Sequence, residues 1–271
     1  MRLKRLAIVA LGAMGVFVAF GAIFGQSFFY YPKRGESSYT PKSLGLSYEN
    51  VYFESLDGTK LNGWFISSTI EAKGTVIQVH GNAGKLEDHL DFVSWLPQRG
   101  YNLFMFDYRG YGLSEDKKQT PKALMEDTKA AIGYIRGRTP NEKLFILAQS
   151  LGGNNAIAAI GSGQRRGIKA LLVDSTFFSY KKIADDRLPN GGIFVSDRYS
   201  ASSFIASVAP IPTLFMHSKG DEVIPYEHTE QLYALANHPK KLIIVPHGRH
   251  ISALKNIIYQ NEAVRFFDEN L

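Results

Sequence analysis

The 271-residue chain contains no cysteine, which excludes disulfides, cysteine-linked lipids and a thiol nucleophile. That absence suits an oxidising compartment without requiring one. No Gly-x-x-x-x-Gly-Lys-Ser/Thr loop is present, nor a Gly-x-Gly-x-x-Gly after a strand, so no nucleotide cofactor is expected. Metal ligands are as poorly provided for. There is no His-Glu-x-x-His helix and no carboxylate-rich cluster, and His247-x-x-His250 stands alone. A strong excess of one charge is missing too. Lys and Arg number 31 against 25 Asp and Glu, and Arg2, Lys4 and Arg5 supply half of the net +6. The remainder is too balanced for a nucleic-acid-binding face. Repeats and low-complexity tracts are also absent.

The one long uncharged run lies at the start. Leu6 to Gly25 carries no charge, and about twenty helical residues at 1.5 Å each span the hydrocarbon of a bilayer. Residues 1–25 therefore read as a transmembrane signal-anchor. A cleaved signal peptide is the competing reading, with Ala19-x-Gly21 as its small-x-small site. The basic N-terminal flank predicts a cytoplasmic N-terminus and a folded domain on the non-cytoplasmic side, with Lys33 and Arg34 pulling the other way. Residues 26–46, with Pro, Gly and Ser, read as a linker, and residues 47–271 as one domain.

Within that domain, apolar strand-like runs alternate with helical patterns. Helices are expected over Leu86–Gln98, from Pro121 to about Arg136, to about Ile160, over Tyr226–Asn237 and over Ile251–Asp268. In the last, Leu254, Ile257, Ile258 and Phe266 fall on a helical spacing. Such alternation predicts an α/β fold, a mostly parallel sheet with helices on both faces.

The most informative stretch is Leu144-Phe-Ile-Leu-Ala-Gln-Ser150-Leu-Gly-Gly153, an apolar strand, a turn of small residues and a helix start. A serine there sits on a strained elbow with its hydroxyl exposed and backbone N–H groups nearby. Ala148 stands where the usual pattern has glycine. A lone serine needs a base. Downstream, Ile211–Ser218 reads as a strand running into a loop with Asp221, and Lys241–Pro246 as a strand followed by His247-Gly-Arg-His250. Serine, then acid, then histidine, each just past a strand, is the chain order of the α/β-hydrolases.

On these residues the chain resembles the α/β-hydrolase superfamily, and within it the membrane-anchored, serine-aminopeptidase-like α/β-hydrolase-domain proteins. Val76-Ile-Gln-Val-His80-Gly-Asn-Ala-Gly84 and Asp107-Tyr-Arg-Gly-Tyr-Gly-Leu-Ser114 are similar to two further signatures of that group. So are Tyr31-Pro, Thr40-Pro, Leu44-Gly-Leu, Asp57-Gly and Gly63-Trp-Phe at the domain entry. The resemblance runs from about Tyr30 onward. It implies an eight-stranded-type sheet and a triad of Ser150, Asp221 and His250. It also implies an oxyanion hole from the backbone N–H of Asn82 (Ala83 being the weaker candidate) and of Leu151.

Several residues carry rival readings. Asp174, ending the strand Ala170–Asp174, competes for the acid, although the glycine and acid ahead of Val223-Ile-Pro225 favour Asp221. His247 competes with His250. Alignment with the family's Val-Pro-Gly-x-Gly-His pattern puts His250 on the base, and His247 and Arg249 on glycine positions, where they crowd the loop. His80 reads as structural, and Asp107 with Arg109 as a polar pair fixing a loop. Residues 175–210 read as a short cap, with Phe177, Phe178, Tyr180, Leu188, Ile193 and Phe194 as an aromatic and apolar lining and Gly191-Gly192 as a flexible point. The implied activity is cleavage of carboxylic esters or thioesters with a small or lipid-like acyl group. A serine peptidase and a non-catalytic membrane-anchored binding module are the alternatives.

Overall fold

The computed structural model describes residues 29–139 and 143–271; the proposed anchor, residues 1–25, lies outside them. Among the described residues no helix is long and apolar enough to cross a membrane. Eight strands form the main sheet: β1 (Tyr48–Glu54), β2 (Lys60–Ile66), β3 (Gly74–Val79), β4 (Tyr101–Asp107), β5 (Leu144–Gln149), β6 (Ile168–Asp174), β7 (Thr213–Ser218) and β8 (Lys240–Val245). Their spatial order is β1-β2-β4-β3-β5-β6-β7-β8. β2 is antiparallel to both neighbours, and every other pairing is parallel.

The central strands are continuous apolar runs because both faces are covered. Alternate residues enter opposite layers. Val76, Phe145, Leu147 and Leu172 pack in one cluster with Leu90 and Phe267. Ile77, Ile146, Ala148 and Val173 pack in the other with Ile132 and Ile157. The helices among the described residues are α1 (Leu86–His89), α2 (Pro121–Arg138), α3 (Leu151–Gly161), α4 (Tyr180–Arg187), α5 (Glu227–Leu235) and α6 (Ile257–Asp268). α1 and α6 cover the first face, while α2 and α3 cover the second. Thr120 caps α2 by accepting the Ala123 N–H, with Pro121 opening the helix.

Two helices differ from expectation. The Leu86–Gln98 pattern is broken into α1 and short 3₁₀ turns at Leu90–Phe92 and Pro97–Arg99. Pro97 cannot donate to a preceding turn and disfavours helix before it. The last helix starts at Ile257 because Asn256 caps it, accepting the Ile258 N–H. Its buried face is Ala263, Phe266 and Phe267, and Ile257 and Ile258 lie off that face and are exposed, so these two isoleucines are not core.

From Phe29 onward, the segment ahead of β1 is laid on the sheet's loops. Tyr31–Pro32 pairs in parallel with Ala83–Gly84, Lys33 bridges to Asp88 at 2.7 Å, and the Ser38 and Tyr39 N–H groups donate to Glu87. Residues 175–210 hold α4 and short 3₁₀ turns. Phe177 and Tyr180 are buried in the core, while Leu188 and Ile193 are exposed.

Candidate active site

Ser150 joins β5 to α3 at φ 53° and ψ −124°, a backbone region a non-glycine residue adopts only under constraint. The Ser150 N–H donates to Asp174 O at 2.9 Å, and Thr176 Oγ1 donates to Ser150 O at 2.6 Å. The glycines that follow are steric necessities. A Cβ at Gly152 would lie 1.9 Å from Val79 O, and one at Gly153 2.5 Å from Thr176 Cβ. Ala148 sits fully buried among the second layer's side chains, so its methyl is packed and intrudes on nothing at the elbow.

The loops after β7 and β8 bring Asp221 and His250 to this serine. His250 Nε2 lies 2.9 Å from Ser150 Oγ, and His250 Nδ1 lies 2.7 Å from Asp221 Oδ2. A carboxylate only accepts, so Nδ1 carries the proton and Nε2 is free to accept from the serine hydroxyl. The two loops touch through glycine. A Cβ on Gly220 would stand 2.7 Å from Gly248 O. Asp221 Oδ1 accepts the Val223 and Ile224 N–H groups, each at 2.8 Å. Burial raises the Asp221 pKa, but the hydrogen bonds from His217 and His250 outweigh it and hold the carboxyl well below the usual range.

His217 is the residue that sequence reasoning missed. It is fully buried at the end of β7, with Nε2 3.0 Å from Asp221 Oδ2 and 3.0 Å from Ile224 O. Its Nδ1 lies 2.7 Å from Thr229 Oγ1. Two acceptors at Nε2 require the proton there, so His217 donates to the oxygen that also faces His250. The available signal was a histidine inside an apolar strand, four residues before the acid.

The loop His80–Gly84 lies beside the serine, and a Cβ at Gly81 would stand 3.5 Å from Ser150 Cβ. All five of its carbonyls are taken within the protein. Tyr108 Oη donates to His80 O at 2.9 Å, His80 Nδ1 to Gly81 O at 2.7 Å and His89 Nε2 to Ala83 O at 2.8 Å. Asn82 O accepts from Tyr111 Oη at 2.7 Å and from the Tyr31 N–H at 2.9 Å. Gly84 O accepts from the Lys33 N–H at 2.9 Å. In a trans peptide the N–H points opposite the carbonyl, so fixing Gly81 O fixes the direction of the Asn82 N–H. Burial, with the nearby His89, pushes the His80 pKa well down and keeps the ring neutral. Leu151 heads α3, and its N–H belongs to the first helical turn, which has no intrahelical acceptor.

The remaining candidates fall into place around these groups. Asp107 and Arg109 are not paired with each other. Arg109 binds Asp127 and Asp57, whereas Asp107 accepts the Leu86 N–H at 3.1 Å and faces His80 Nε2 at 3.6 Å. Burial raises the Asp107 pKa to about 8. Asp174 is buried and engaged by Gln149 Nε2 and Ser175 Oγ, and burial pushes its pKa up. His247 is exposed. Arg249 is also exposed and pairs with Glu222 at 3.1 Å, so neither crowds the histidine loop. Among the described residues no group of three or more His, Asp or Glu is placed to hold a metal. A cleft of about 410 Å³ beside α6, lined by Arg99, Asn261 and Arg265 among others, includes none of the residues around Ser150.

A family model described as "Serine aminopeptidase, S33" matches residues 70–190, which include the His80 loop and the elbow. The YfhR protein of Escherichia coli (strain K12) is 45% identical over 251 residues, covering 89% of this chain and 86% of that protein. The alpha/beta hydrolase domain-containing protein WAV2 of Arabidopsis thaliana is 31% identical over 234 residues, covering 78% of this chain and 75% of that protein. The chain belongs to the α/β-hydrolase family. Solved structures share the α/β-hydrolase architecture. The Pyrococcus furiosus esterase Pf2001 superposes with a TM-score of 0.74 at 21% identity, over 89% of this chain and 98% of the esterase. The Pyrococcus horikoshii acylaminoacyl peptidase gives 0.64 at 17% identity, over 83% of this α/β-hydrolase and 42% of the peptidase. At these identities the likeness is one of fold.

Proposed function

We propose that this α/β-hydrolase is a serine hydrolase that cleaves carboxylic esters or thioesters through an acyl-enzyme. The observation that carries the reading is the unbroken chain Ser150 Oγ–His250 Nε2, His250 Nδ1–Asp221 Oδ2, at 2.9 and 2.7 Å. Ser150 Oγ attacks the acyl carbonyl while its proton passes to His250 Nε2. Asp221 holds the imidazole in the tautomer that accepts this proton and stabilises the imidazolium formed. The N–H groups of Asn82 and Leu151 receive the developing oxyanion. His250 returns the proton to the departing alcohol or thiol. Water, deprotonated by the same ring, then releases the acid and restores Ser150.

The partner in this reading is a small-molecule or lipid-like acyl compound. Residues 1–25 act as a single-pass membrane anchor with the catalytic domain on the non-cytoplasmic side, supported by the uncharged run and its basic flank. A second reading, amide cleavage by the same residues, draws on the "Serine aminopeptidase, S33" match. The test is labelling of the full chain with a fluorophosphonate probe, beside p-nitrophenyl ester, thioester and aminoacyl-anilide turnover. Ser150→Ala is expected to abolish labelling and lower kcat by at least about 10³-fold with an unchanged far-UV spectrum. Labelling that persists in the variant would remove Ser150 from the mechanism, and anilide turnover above ester turnover would favour the peptidase reading.

A further inference from the structure

Residues Phe29–Lys33, separated by three residues from the uncharged N-terminal run, are built into the loop beside Ser150. Two of that loop's five carbonyls, Asn82 O and Gly84 O, accept from the backbone N–H groups of Tyr31 and Lys33, both at 2.9 Å. The Tyr31 side chain is 58% exposed, so what it brings to the loop is its N–H and not its ring. Phe29 packs edge-on against Tyr180 at 5.3 Å, and Tyr180 against Phe177 at 5.1 Å. The Gly112 N–H donates to Lys33 O at 2.8 Å, which ties the other side of the segment to the Asp107–Ser114 signature. One short stretch therefore touches the oxyanion loop, the start of the cap helix and the loop after β4.

We propose that Phe29–Lys33 is a positioning element of the active site, setting the orientation of the His80–Gly84 loop and through it the rate of the chemical step. The inference rests on the hydrolase reading of Ser150 for its effect on rate, and on the hydrogen bonds alone for its effect on the loop. His80 fixes the peptide before Asn82, while Tyr31 and Tyr111 fix the peptide after it. Asn82 is thus held on both sides, and losing the Tyr31 bond leaves its orientation resting on the His80 and Tyr111 bonds alone, so the direction of its N–H is set less tightly. Three residues, Gln26 to Phe28, separate the uncharged run from this clamp in the sequence. The leader is in this way joined covalently to a part of the catalytic apparatus.

The experiment compares Tyr31→Pro with Tyr31→Ala in the full chain. Proline removes the donor to Asn82 O, whereas alanine keeps it and deletes only the exposed ring. Hydrogen exchange of the amides in residues 80–85 is expected to rise about tenfold in Tyr31→Pro and to stay at the parent value in Tyr31→Ala. On a p-nitrophenyl ester, kcat is expected to fall about tenfold in Tyr31→Pro with KM unchanged. Adding Tyr111→Phe, which strips the second donor from Asn82 O, is expected to deepen the loss to about a hundredfold. Equal exchange in the proline and alanine variants overturns the proposal, and so does raised exchange with an unaltered kcat. If Tyr31→Pro does not fold, Lys33→Pro compared with Lys33→Ala takes its place: both lose the Lys33–Asp88 ion pair, and only proline loses the backbone donor to Gly84 O. Exchange needs no turnover, so it decides the loop coupling even for an inert serine, while probe labelling of the unsubstituted chain decides the hydrolase reading separately.

Discussion

Replacing His217 with leucine separates holding the acid from ionising it. The two side chains have similar bulk, so the change removes hydrogen bonds without opening a large cavity. Asp221 would lose one donor and keep His250 Nδ1, Val223 N–H and Ile224 N–H. Ile224 O would lose the imidazole at 3.0 Å, and Thr229 Oγ1 would keep only Thr176 O at 3.4 Å. A hydrogen bond to a buried carboxylate contributes about 1.5–3 kcal/mol, and a buried carbonyl left bare costs about 1–3 kcal/mol. The sum is a loss of about 2.5–6 kcal/mol, a large share of a domain stability of about 5–15 kcal/mol. Activity should suffer much less. With three donors left, Asp221 stays ionised at neutral pH, so kcat is expected to fall by about tenfold or less. Asp221→Asn, by contrast, is expected to cost about 10⁴-fold. Urea unfolding followed by far-UV circular dichroism gives the first quantity by linear extrapolation, and ester turnover the second. A stability loss below about 1 kcal/mol, or a kcat as low as that of Asp221→Asn, would refute the account of His217 as the acid's support.

Two further expectations follow from the same geometry. Asp174→Asn should leave kcat within about threefold of the parent, because His250 Nδ1 is served by Asp221; a loss comparable to Asp221→Asn would hand the acid's role to Asp174. His228 should make the fold pH-sensitive. Its Nδ1 accepts the Phe178 N–H at 2.9 Å and its Nε2 donates to Asp186 at 2.6 Å, a pattern that only the neutral ring satisfies. Burial lowers its folded pKa below the unfolded value of about 6.5, so this contribution is complete above that pH and is lost as the pH falls through the folded value. Thermal unfolding between pH 7 and pH 5 should therefore decline more steeply in the parent than in His228→Gln, and identical slopes would exclude His228 as the cause.

Much of this arrangement was legible in the sequence because its steric demands are local. The strand, elbow and helix around Ser150 need small residues at 152 and 153, and both are glycine with no room for a Cβ. The acid and the histidine were readable as residues just past apolar strands, and the fold joins Asp221 and His250 to Ser150 in one hydrogen-bonded chain. What stayed hidden depends on distant partners. His217 lies in a strand whose other residues are core, and only the tertiary fold brings Ile224, Thr229 and Asp221 around it. Asp107 and Arg109 are two residues apart and read as a pair, yet β4 ends at Asp107 and the turn that follows carries Arg109 to Asp57 and Asp127, while Asp107 faces His80. Ile257 and Ile258 were read onto one helical face with Phe266, but α6 packs through Ala263, Phe266 and Phe267, and nine residues put Ile257 about half a turn from Phe266. His247 and Arg249 looked obstructive because sequence spacing does not say which side chains point outward.

Ser150 and His250 meet across 100 residues of chain, and the strand that delivers the histidine is the eighth of eight in the sheet. During synthesis the N-terminal portions form first, and contacts this distant in sequence close late. A growing chain can thus shape its sheet centre and its elbow while the serine still has no base. On the hydrolase reading proposed above, the nascent protein is chemically silent: acyl compounds around it would meet an ordinary hydroxyl until residue 250 has emerged and β8 has docked beside β7. The onset of serine reactivity during refolding would accordingly time the closing of the sheet's last edge, not its initial collapse.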